Sequence, residues 1–128
     1  MRALGLAPVV HDGFSLDAKL QDSGLVVRFS GNGDMAAVGV LGLYLKQVHR
    51  EALDLGVSQV SFDFSDLYFM NSSCFKAFVT WIDTVGQMQP AAYGIRFLTN
   101  PKLHWQRRSL EALRYLAPQV VRVEAVAS

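Results

Sequence analysis

The N-terminal part of the chain alternates between apolar and polar residues, which predicts two strands joined by a turn. Every second residue of the first segment is apolar, as in a half-exposed strand: Phe14, Leu16, Ala18 and Leu20. Residues 21–24 have the composition of a turn, and residues 25–29 are mainly apolar. The two segments are therefore predicted to pair as a hairpin. Residues 1–13 are interpreted as an N-terminal lead-in.

From residue 35 onward the apolar spacing becomes helical. A first helix is predicted over about 35–54, and Gly56 suits its C-terminal end. The strongest amphipathic spacing belongs to a second helix, whose apolar residues recur at helical intervals: Phe75, Phe78, Val79, Ile82 and Val85. A third helix is predicted over 103–116. Apolar segments between and after the helices predict strands at 57–64, 93–98 and 119–124.

The resulting order of elements is β-β-α-β-α-β-α-β. Strands that alternate with helices favour parallel pairing with right-handed crossovers, and the opening hairpin adds an antiparallel edge. We therefore predict an α/β fold with a mixed β-sheet and with helices mainly on one face. The length of 128 residues suits a single domain, which we place at 14–125.

Composition and charge narrow the functional classes. The net charge of +1 gives no strong field for nucleic acid or a membrane surface. The short cationic cluster of Lys102, Arg107 and Arg108 is interpreted as a solvated or partner-facing helix start. A single cysteine fits a reducing compartment, and neither a signal-peptide pattern nor an apolar run of ~18–20 residues is found. These features predict a cytoplasmic protein.

A glycine-rich segment before the first helix has the spacing of a dinucleotide-binding turn. The stretch Gly31-Asn32-Gly33-Asp34-Met35-Ala36 matches G-x-G-x-x-A between a strand and a helix. However, the chain is too short for a second nucleotide-binding half, and Asp34 would set a negative charge against the phosphates. We therefore interpret the segment as a turn in which Asp34 caps the helix.

The sequence lacks the patterns of metal and hydrolytic sites. Three scattered histidines show no ligand-like spacing: His11, His49 and His104. The G-x-S-x-G elbow of a serine hydrolase is absent around Ser72 and Ser73. A thiolate enzyme that uses Cys74 is an alternative because a helix N-terminus lowers a thiol pKa, but no base accompanies it. We predict no metal and no cofactor.

Three small polar residues, Asn71, Ser72 and Ser73, stand between an apolar segment and the second helix. We expect Ser72 or Ser73 to cap this helix by accepting a hydrogen bond from a backbone N–H. Neither serine has Glu or Gln three positions later, so the reciprocal capping box is missing. A cap needs only one such residue, and the surplus favours a further role for the segment.

The stretch VSFDFSDLYFMNSSCFKAFVTWI resembles the signature of STAS domains, in particular the bacterial anti-sigma factor antagonists. In that family a strand ends in Asp-Leu/Phe-Ser, and an apolar pair and Asp-Ser-Ser/Thr/Ala-Gly then open a helix. The predicted order of elements also resembles the family, so the likeness covers roughly residues 14–125. The resemblance implies a STAS-like fold.

Matched to the family position by position, Ser72 falls on the phosphorylatable serine, with Ser73 as the second choice. Asp63 falls on the acid at the end of the strand. Asn71 stands where the family usually has Asp, and Cys74 stands where it has Gly.

The resemblance also implies a set of partner-binding residues near the phosphorylation site: Asn71, Ser73, Cys74, Lys76 and Asp66. Lys76 lies one helical turn after Ser72, near where a phosphate would sit. Further apolar contact surface is expected around the first helix and on the second: Val40, Leu43, Tyr44 and Trp81.

The function that the resemblance implies is a phosphorylation-controlled protein-binding regulator and not an enzyme. Such a protein binds an anti-sigma factor or a related serine/threonine kinase when Ser72 is unphosphorylated and releases it when phosphorylated, and a serine phosphatase resets the switch. The alternative is a docking or small-ligand-binding module without a phosphoswitch, in which the serines only cap. The sequence leaves open the identity of the kinase, the phosphatase and the output, and whether the protein forms a homodimer.

Overall fold

The chain folds into seven strands and three helices in a computed structural model, which describes residues 4–22 and 24–126. The strands are β1 (Val9–His11), β2 (Phe14–Gln21), β3 (Gly24–Gly33), β4 (Gln59–Asp63), β5 (Leu67–Met70), β6 (Gly94–Thr99) and β7 (Val121–Ala125). The helices are α1 (Met35–Leu55), α2 (Ser72–Gly86) and α3 (His104–Leu116).

Six strands lie side by side in the order β1-β2-β3-β4-β6-β7, and β5 pairs with the end of β3. β2 pairs antiparallel with both β1 and β3, whereas β3, β4, β6 and β7 run parallel to one another. Going along the chain, the parallel strands β3, β4, β6 and β7 follow one another across the sheet in the same direction. Right-handed crossovers between them therefore place all three helices on the same face. The other face carries exposed polar side chains, including Asp17, Arg28 and Arg122. The predicted mixed α/β sheet with helices on one face is confirmed.

The helix boundaries agree closely with the pattern in the sequence. Helix α1 was expected over 35–54 and spans Met35–Leu55, and α3 begins one residue later than expected. Gly56 ends α1 in the left-handed region at φ +67°, where a residue with a side chain would be strained. The predicted C-terminal role of Gly56 is therefore confirmed.

Two strands are not predicted by the pattern of the sequence. Strand β1 pairs antiparallel with β2, so the sheet begins within the segment interpreted as a loose lead-in. Strand β5 pairs parallel with the end of β3, although the sequence predicted no strand at residues 67–70. Residues 1–3 of the lead-in and Ser23 of the predicted turn lie outside the described residues.

An aromatic cluster fixes α2 on the sheet. Phe78, in the middle of the amphipathic pattern of this helix, is fully buried. Five ring centroids lie within 6.5 Å of its own: Phe62 at 5.1 Å, Phe64 at 5.5 Å, Phe97 at 5.8 Å, Trp81 at 6.4 Å and Phe29 at 6.5 Å. Each such ring contributes about 1.5–3 kcal/mol by leaving water. This packing holds the first turn of α2 at the carboxyl end of the parallel strands.

Candidate functional site

The start of α2 lies beside the ends of β3 and β5. The backbone N–H of Asn71, the residue after β5, donates a hydrogen bond to the Gly33 carbonyl oxygen at 2.8 Å. A Cβ on Gly33 would stand 3.2 Å from the Met70 Cα and 3.2 Å from the Phe69 carbonyl oxygen. Gly33 therefore allows β5, and with it the first turn of α2, to approach the end of β3 closely.

Helix α2 is capped by Asn71 and not by a serine. The Asn71 Oδ1 accepts a hydrogen bond from the Cys74 amide at 2.9 Å, and the Asn71 backbone is extended, as is typical of an N-cap. The expectation that Ser72 or Ser73 caps the helix is wrong. Both serines instead take the first helical positions, because α2 begins at Ser72.

The Ser72 side chain is exposed to solvent, whereas Ser73 is half-buried. Among the residues that the structure describes, neither serine has a hydrogen-bond partner for its hydroxyl or for its backbone amide. The first turn of a helix leaves such N–H groups unpaired and carries the positive end of the helix dipole. The segment thus presents a free hydroxyl next to donors that suit an anion.

Cys74 is buried beneath the same turn. Its Sγ donates a weak hydrogen bond to the Gly33 carbonyl oxygen at 3.5 Å, and no part of the residue is accessible. Burial, together with the charge of Asp34, raises the thiol pKa to about 11, so the thiolate is scarce at neutral pH. This contradicts the alternative of a catalytic Cys74 thiolate. It also removes the Cys74 side chain from the surface that a partner would touch.

Three other residues singled out in the sequence, Lys76, Asp66 and Asp63, have different surroundings, and no contact joins Asp66 or Asp63 to the serines within the described residues. Lys76 is exposed one turn after Ser72. The Asp66 carboxylate forms an ion pair with the Arg28 guanidinium, and both groups are about half exposed, so the pair contributes only about 0–1 kcal/mol. The Asp63 Oδ1 accepts a hydrogen bond from the Ser65 amide at 2.9 Å, which turns the chain after β4.

Large apolar side chains remain exposed at the start of α1 and in β5, the strand that leads into α2. Met35 is 72% exposed, Tyr68 58% and Phe69 49%, and we call these three residues the apolar rim. The Met35 Sδ lies 3.5 Å from the Asn71 Nδ2, which places the start of α1 next to the cap of α2. Sequence reasoning missed the apolar rim, although Tyr68 and Phe69 lie only three and two positions before Asn71.

The apolar contact surface expected on the helices is only partly accessible. Leu43 is 63% exposed, but Tyr44 and Trp81 are buried at 3% and 4% exposure. The Trp81 Nε1 donates a hydrogen bond to the Tyr93 hydroxyl at 2.9 Å, and that oxygen lies 2.6 Å from the His49 Nδ1. Tyr44 and Trp81 are therefore core residues, and expecting them at the surface was wrong.

The glycine-rich segment before α1 has a structural role. β3 continues through Gly31 and Gly33, which pair with β5, so the expectation of a turn in this segment is wrong. The Asp34 Oδ1 accepts hydrogen bonds from the amides of Ala36 at 3.1 Å and Ala37 at 3.4 Å. The predicted Asp34 cap is confirmed, and the carboxylate occupies the helix N-terminus where a dinucleotide phosphate would bind.

Within 4–22 and 24–126, no three His, Cys, Asp or Glu side chains come together as metal ligands would. No helix in those ranges is both long enough and apolar enough to cross a membrane.

Three solved structures share this fold at low sequence identity. An anti-sigma factor antagonist from Mycobacterium paratuberculosis is 18% identical, with a TM-score of 0.64 and coverage of 85% of this chain and 86% of that one. The antagonist SpoIIAA in its unphosphorylated form is 17% identical, with a TM-score of 0.57 and coverage of 84% and 86%. A chain in the complex of the diguanylate cyclase SiaD with its activator SiaC, from Pseudomonas aeruginosa, is 16% identical, with a TM-score of 0.64 and coverage of 88% and 92%.

No family model and no curated protein matches this sequence. At identities below 20% the likeness to the three structures concerns the fold. The chain therefore has a STAS-like fold, the one found in solved anti-sigma factor antagonists.

Proposed function

We propose that the protein is a phosphorylation-controlled protein-binding regulator, a partner switch of the anti-sigma factor antagonist kind. Unphosphorylated, it binds an anti-sigma factor or a related serine/threonine kinase. The kinase transfers the γ-phosphoryl group of ATP to the Ser72 Oγ, whose proton passes to a base on the kinase, and ADP leaves. The phosphorylated protein releases its partner, and a serine phosphatase returns it to the binding form by hydrolysis. Catalysis belongs to the partners.

The observation that carries the proposal is that the exposed Ser72 hydroxyl has no structural task. Asn71 supplies the cap of α2, so Ser72 is not needed for that purpose. The Ser72 hydroxyl has no hydrogen-bond partner within the described part of the chain. A kinase can reach such an oxygen without opening the fold.

The first turn of α2 would tolerate a phosphate on Ser72. The group adds about −1.5 to −2 charges and three acceptor oxygens. The positive end of the helix dipole stabilises this charge by about 0.3–1 kcal/mol, and the unpaired amides of Ser72 and Ser73 are suitable donors. Lys76 stands four residues after Ser72, a separation that places two side chains on the same helix face. Phosphorylation should therefore leave the fold intact.

The same charge would be unfavourable in a protein–protein interface. The apolar rim lies beside the site, and exposed aromatic side chains of this kind dominate binding energies when a partner buries them. A partner that covers the rim removes water from Ser72 as well. A phosphate there must then lose its hydration, and an uncompensated buried charge costs several kcal/mol. Phosphorylation would thus weaken the complex and not the free protein.

A cleft between α1 and α2 favours a second candidate, a small-ligand-binding module without a phosphoswitch. The cleft has a volume of about 260 Å³ and is lined by apolar residues such as Leu45 and Trp81, by two threonines, and by Lys46 and His49. Its volume is slightly below the ~300–1,000 Å³ typical of ligand pockets. This candidate is tested by a ligand screen that follows thermal stability.

Phosphopeptide mapping tests the main proposal. The protein is isolated from its native host with phosphatase inhibitors, and we expect phosphate on Ser72. Ser72→Ala and Ser72→Asp then serve as baits in the host extract, with Thr80→Asp as the control. The control adds the same charge at an exposed position two turns further along α2.

We expect Ser72→Ala and Thr80→Asp to retain an ATP-binding kinase and Ser72→Asp to lose it. Equal capture by all three baits, with no phosphate on Ser72 or Ser73 in the native protein, contradicts the proposal.

A further inference from the structure

A polar side chain lies within the apolar stripe of α3. Gln106, Leu110 and Leu113 recur at i, i+4 and i+7 on this helix, and all three are completely buried. A buried amide costs free energy unless its hydrogen bonds are made. The burial of Gln106 is therefore explained only by the hydrogen bonds that its side-chain amide forms.

The Gln106 side chain joins α3 to the loop between β4 and β5. Its Nε2 donates hydrogen bonds to the carbonyl oxygens of Phe64 at 2.6 Å and Leu67 at 2.9 Å. Its Oε1 accepts a hydrogen bond from the Asn100 amide at 2.8 Å. Both amide hydrogens and the oxygen are engaged, so the side chain is held in one orientation.

Asn100 extends the same set of contacts. Its Nδ2 donates a hydrogen bond to the Ser65 carbonyl oxygen at 2.9 Å, and its Oδ1 accepts one from the Lys102 amide at 2.9 Å. The carbonyl oxygens of Phe64, Ser65 and Leu67 are thus all bound by two side chains from the loop and helix that follow β6. We call Gln106 and Asn100 the amide clamp.

The held loop leads directly to the serines. Leu67 is the first residue of β5, and only five positions separate it from Ser72. The intervening residues have little freedom, because β5 pairs with β3 and the Asn71 amide is bound to the Gly33 carbonyl oxygen. A shift of the loop would therefore be passed along β5 to Tyr68 and Phe69 of the apolar rim and to the first turn of α2.

We propose that Gln106 is a positioning residue, which with Asn100 sets the location of Tyr68, Phe69 and Ser72 for the partner. The functional part of this inference rests on the proposed partner switch. The structural part is independent of any partner: the amide clamp keeps residues 67–75 ordered in the free protein.

Hydrogen exchange of the free protein tests the clamp in Gln106→Met. Methionine keeps the size of the side chain and removes its donors, which leaves the Leu67 carbonyl oxygen without that partner. Leu113→Ala is the matched control, since it weakens the same helix without touching the clamp. The variants are compared at equal global stability, adjusted with urea.

We expect the amides of Asn71 and Phe75 to exchange about tenfold faster in Gln106→Met than in the control. Asn100→Ala should show the same effect to a smaller extent, and it covers the case in which Gln106→Met does not fold. Exchange that rises equally over the whole chain in Gln106→Met and in the control overturns the clamp.

A phosphorylation assay with the host kinase tests the positioning role. We expect Gln106→Met to raise the KM for the protein substrate at least fivefold relative to the control, at temperatures where both are fully folded. An unchanged KM beside faster local exchange would show a purely structural clamp and overturn the positioning role. If the wild-type protein is not phosphorylated on Ser72, the proposed function fails, whereas the exchange result still decides the clamp.

Discussion

The Asn71 Oδ1 accepts a hydrogen bond from the backbone N–H of Cys74, so Asn71, the residue before Ser72, is the N-cap that a serine was expected to be. Because Asn71 caps the helix, the hydroxyls of Ser72 and Ser73 are not needed for capping. The cap and the proposed phosphorylation site are adjacent but separate, which allows the modification to act on partners without unfolding the helix.

Substitution of the cap should destabilise the protein more than substitution of either serine. We expect Asn71→Ala to lower the free energy of unfolding by about 1 kcal/mol, because the Cys74 amide loses its acceptor. Ser72→Ala and Ser73→Ala should stay within about 0.5 kcal/mol of wild type. Urea denaturation measures all three. A loss for Ser72→Ala as large as that for Asn71→Ala would mean that the serine does contribute to the cap.

The apolar rim should contribute to binding and not to folding. Tyr68→Ser should reduce affinity for the kinase at least tenfold. Tyr68 is 58% exposed in the free protein, so its ring is buried only when the partner binds, and its removal weakens the complex but not the fold. Tyr115→Ser is the matched control, since Tyr115 is 74% exposed on α3. Melting temperatures of both variants should remain near that of wild type. Equal affinities of the two variants would place the partner elsewhere.

The alternation and helical spacing of apolar residues predicted the main sheet, the three helices and the caps at Asp34 and Gly56, because each depends on local pattern or on one backbone requirement. Strands β1 and β5 were missed for a different reason. They are three and four residues long, and buried and exposed residues do not alternate along them. These strands are recognised by their hydrogen-bonded pairing with β2 and β3, which a pattern of apolar residues does not reveal.

The cap of α2 was located from the sequence only to within one residue. Asn, Ser and Ser are all good N-caps, so composition alone does not say which residue is the cap. The amide clamp was not predicted at all. Gln106 lies within the cationic start of α3, between Lys102 and Arg107, and only the fold brings it against the carbonyl oxygens of Phe64 and Leu67.

Cys74 should react slowly in the native protein. Because burial raises its pKa to about 11, native alkylation by iodoacetamide at pH 7.5 should be at least about 100-fold slower than in urea. Mass spectrometry of the time course gives both rates. Native labelling as fast as in urea would contradict the buried position of the thiol.

The raised pKa of the Cys74 thiol also predicts a loss of stability at high pH. A folded-state pKa raised above the unfolded value of about 9 means that the folded thiol keeps its proton while the unfolded one loses it. The stabilising effect of Cys74 is therefore complete below pH 9 and decreases as the pH rises from 9 to 11. The difference in unfolding free energy between wild type and Cys74→Ala should shrink over this range. A constant difference would contradict the raised pKa.

The buried Trp81 depends on the hydroxyl of Tyr93. In Tyr93→Phe the Trp81 Nε1 loses its acceptor, which should cost about 1–3 kcal/mol. The double variant Trp81→Phe/Tyr93→Phe should be less destabilised than the sum of the single changes, since the Trp81 Nε1 is no longer left as an unpaired donor. Urea denaturation of the four proteins gives the coupling energy, and strict additivity would argue against this hydrogen bond.

The affinity of the host kinase for the protein, measured by calorimetry before and after quantitative phosphorylation of Ser72, is the most direct test. We predict that the phosphorylated protein binds at least about 100-fold more weakly, while its circular dichroism and melting temperature stay those of the unphosphorylated form. Unchanged affinity in a fully phosphorylated sample, or a loss of affinity that accompanies unfolding of α2, would contradict the account.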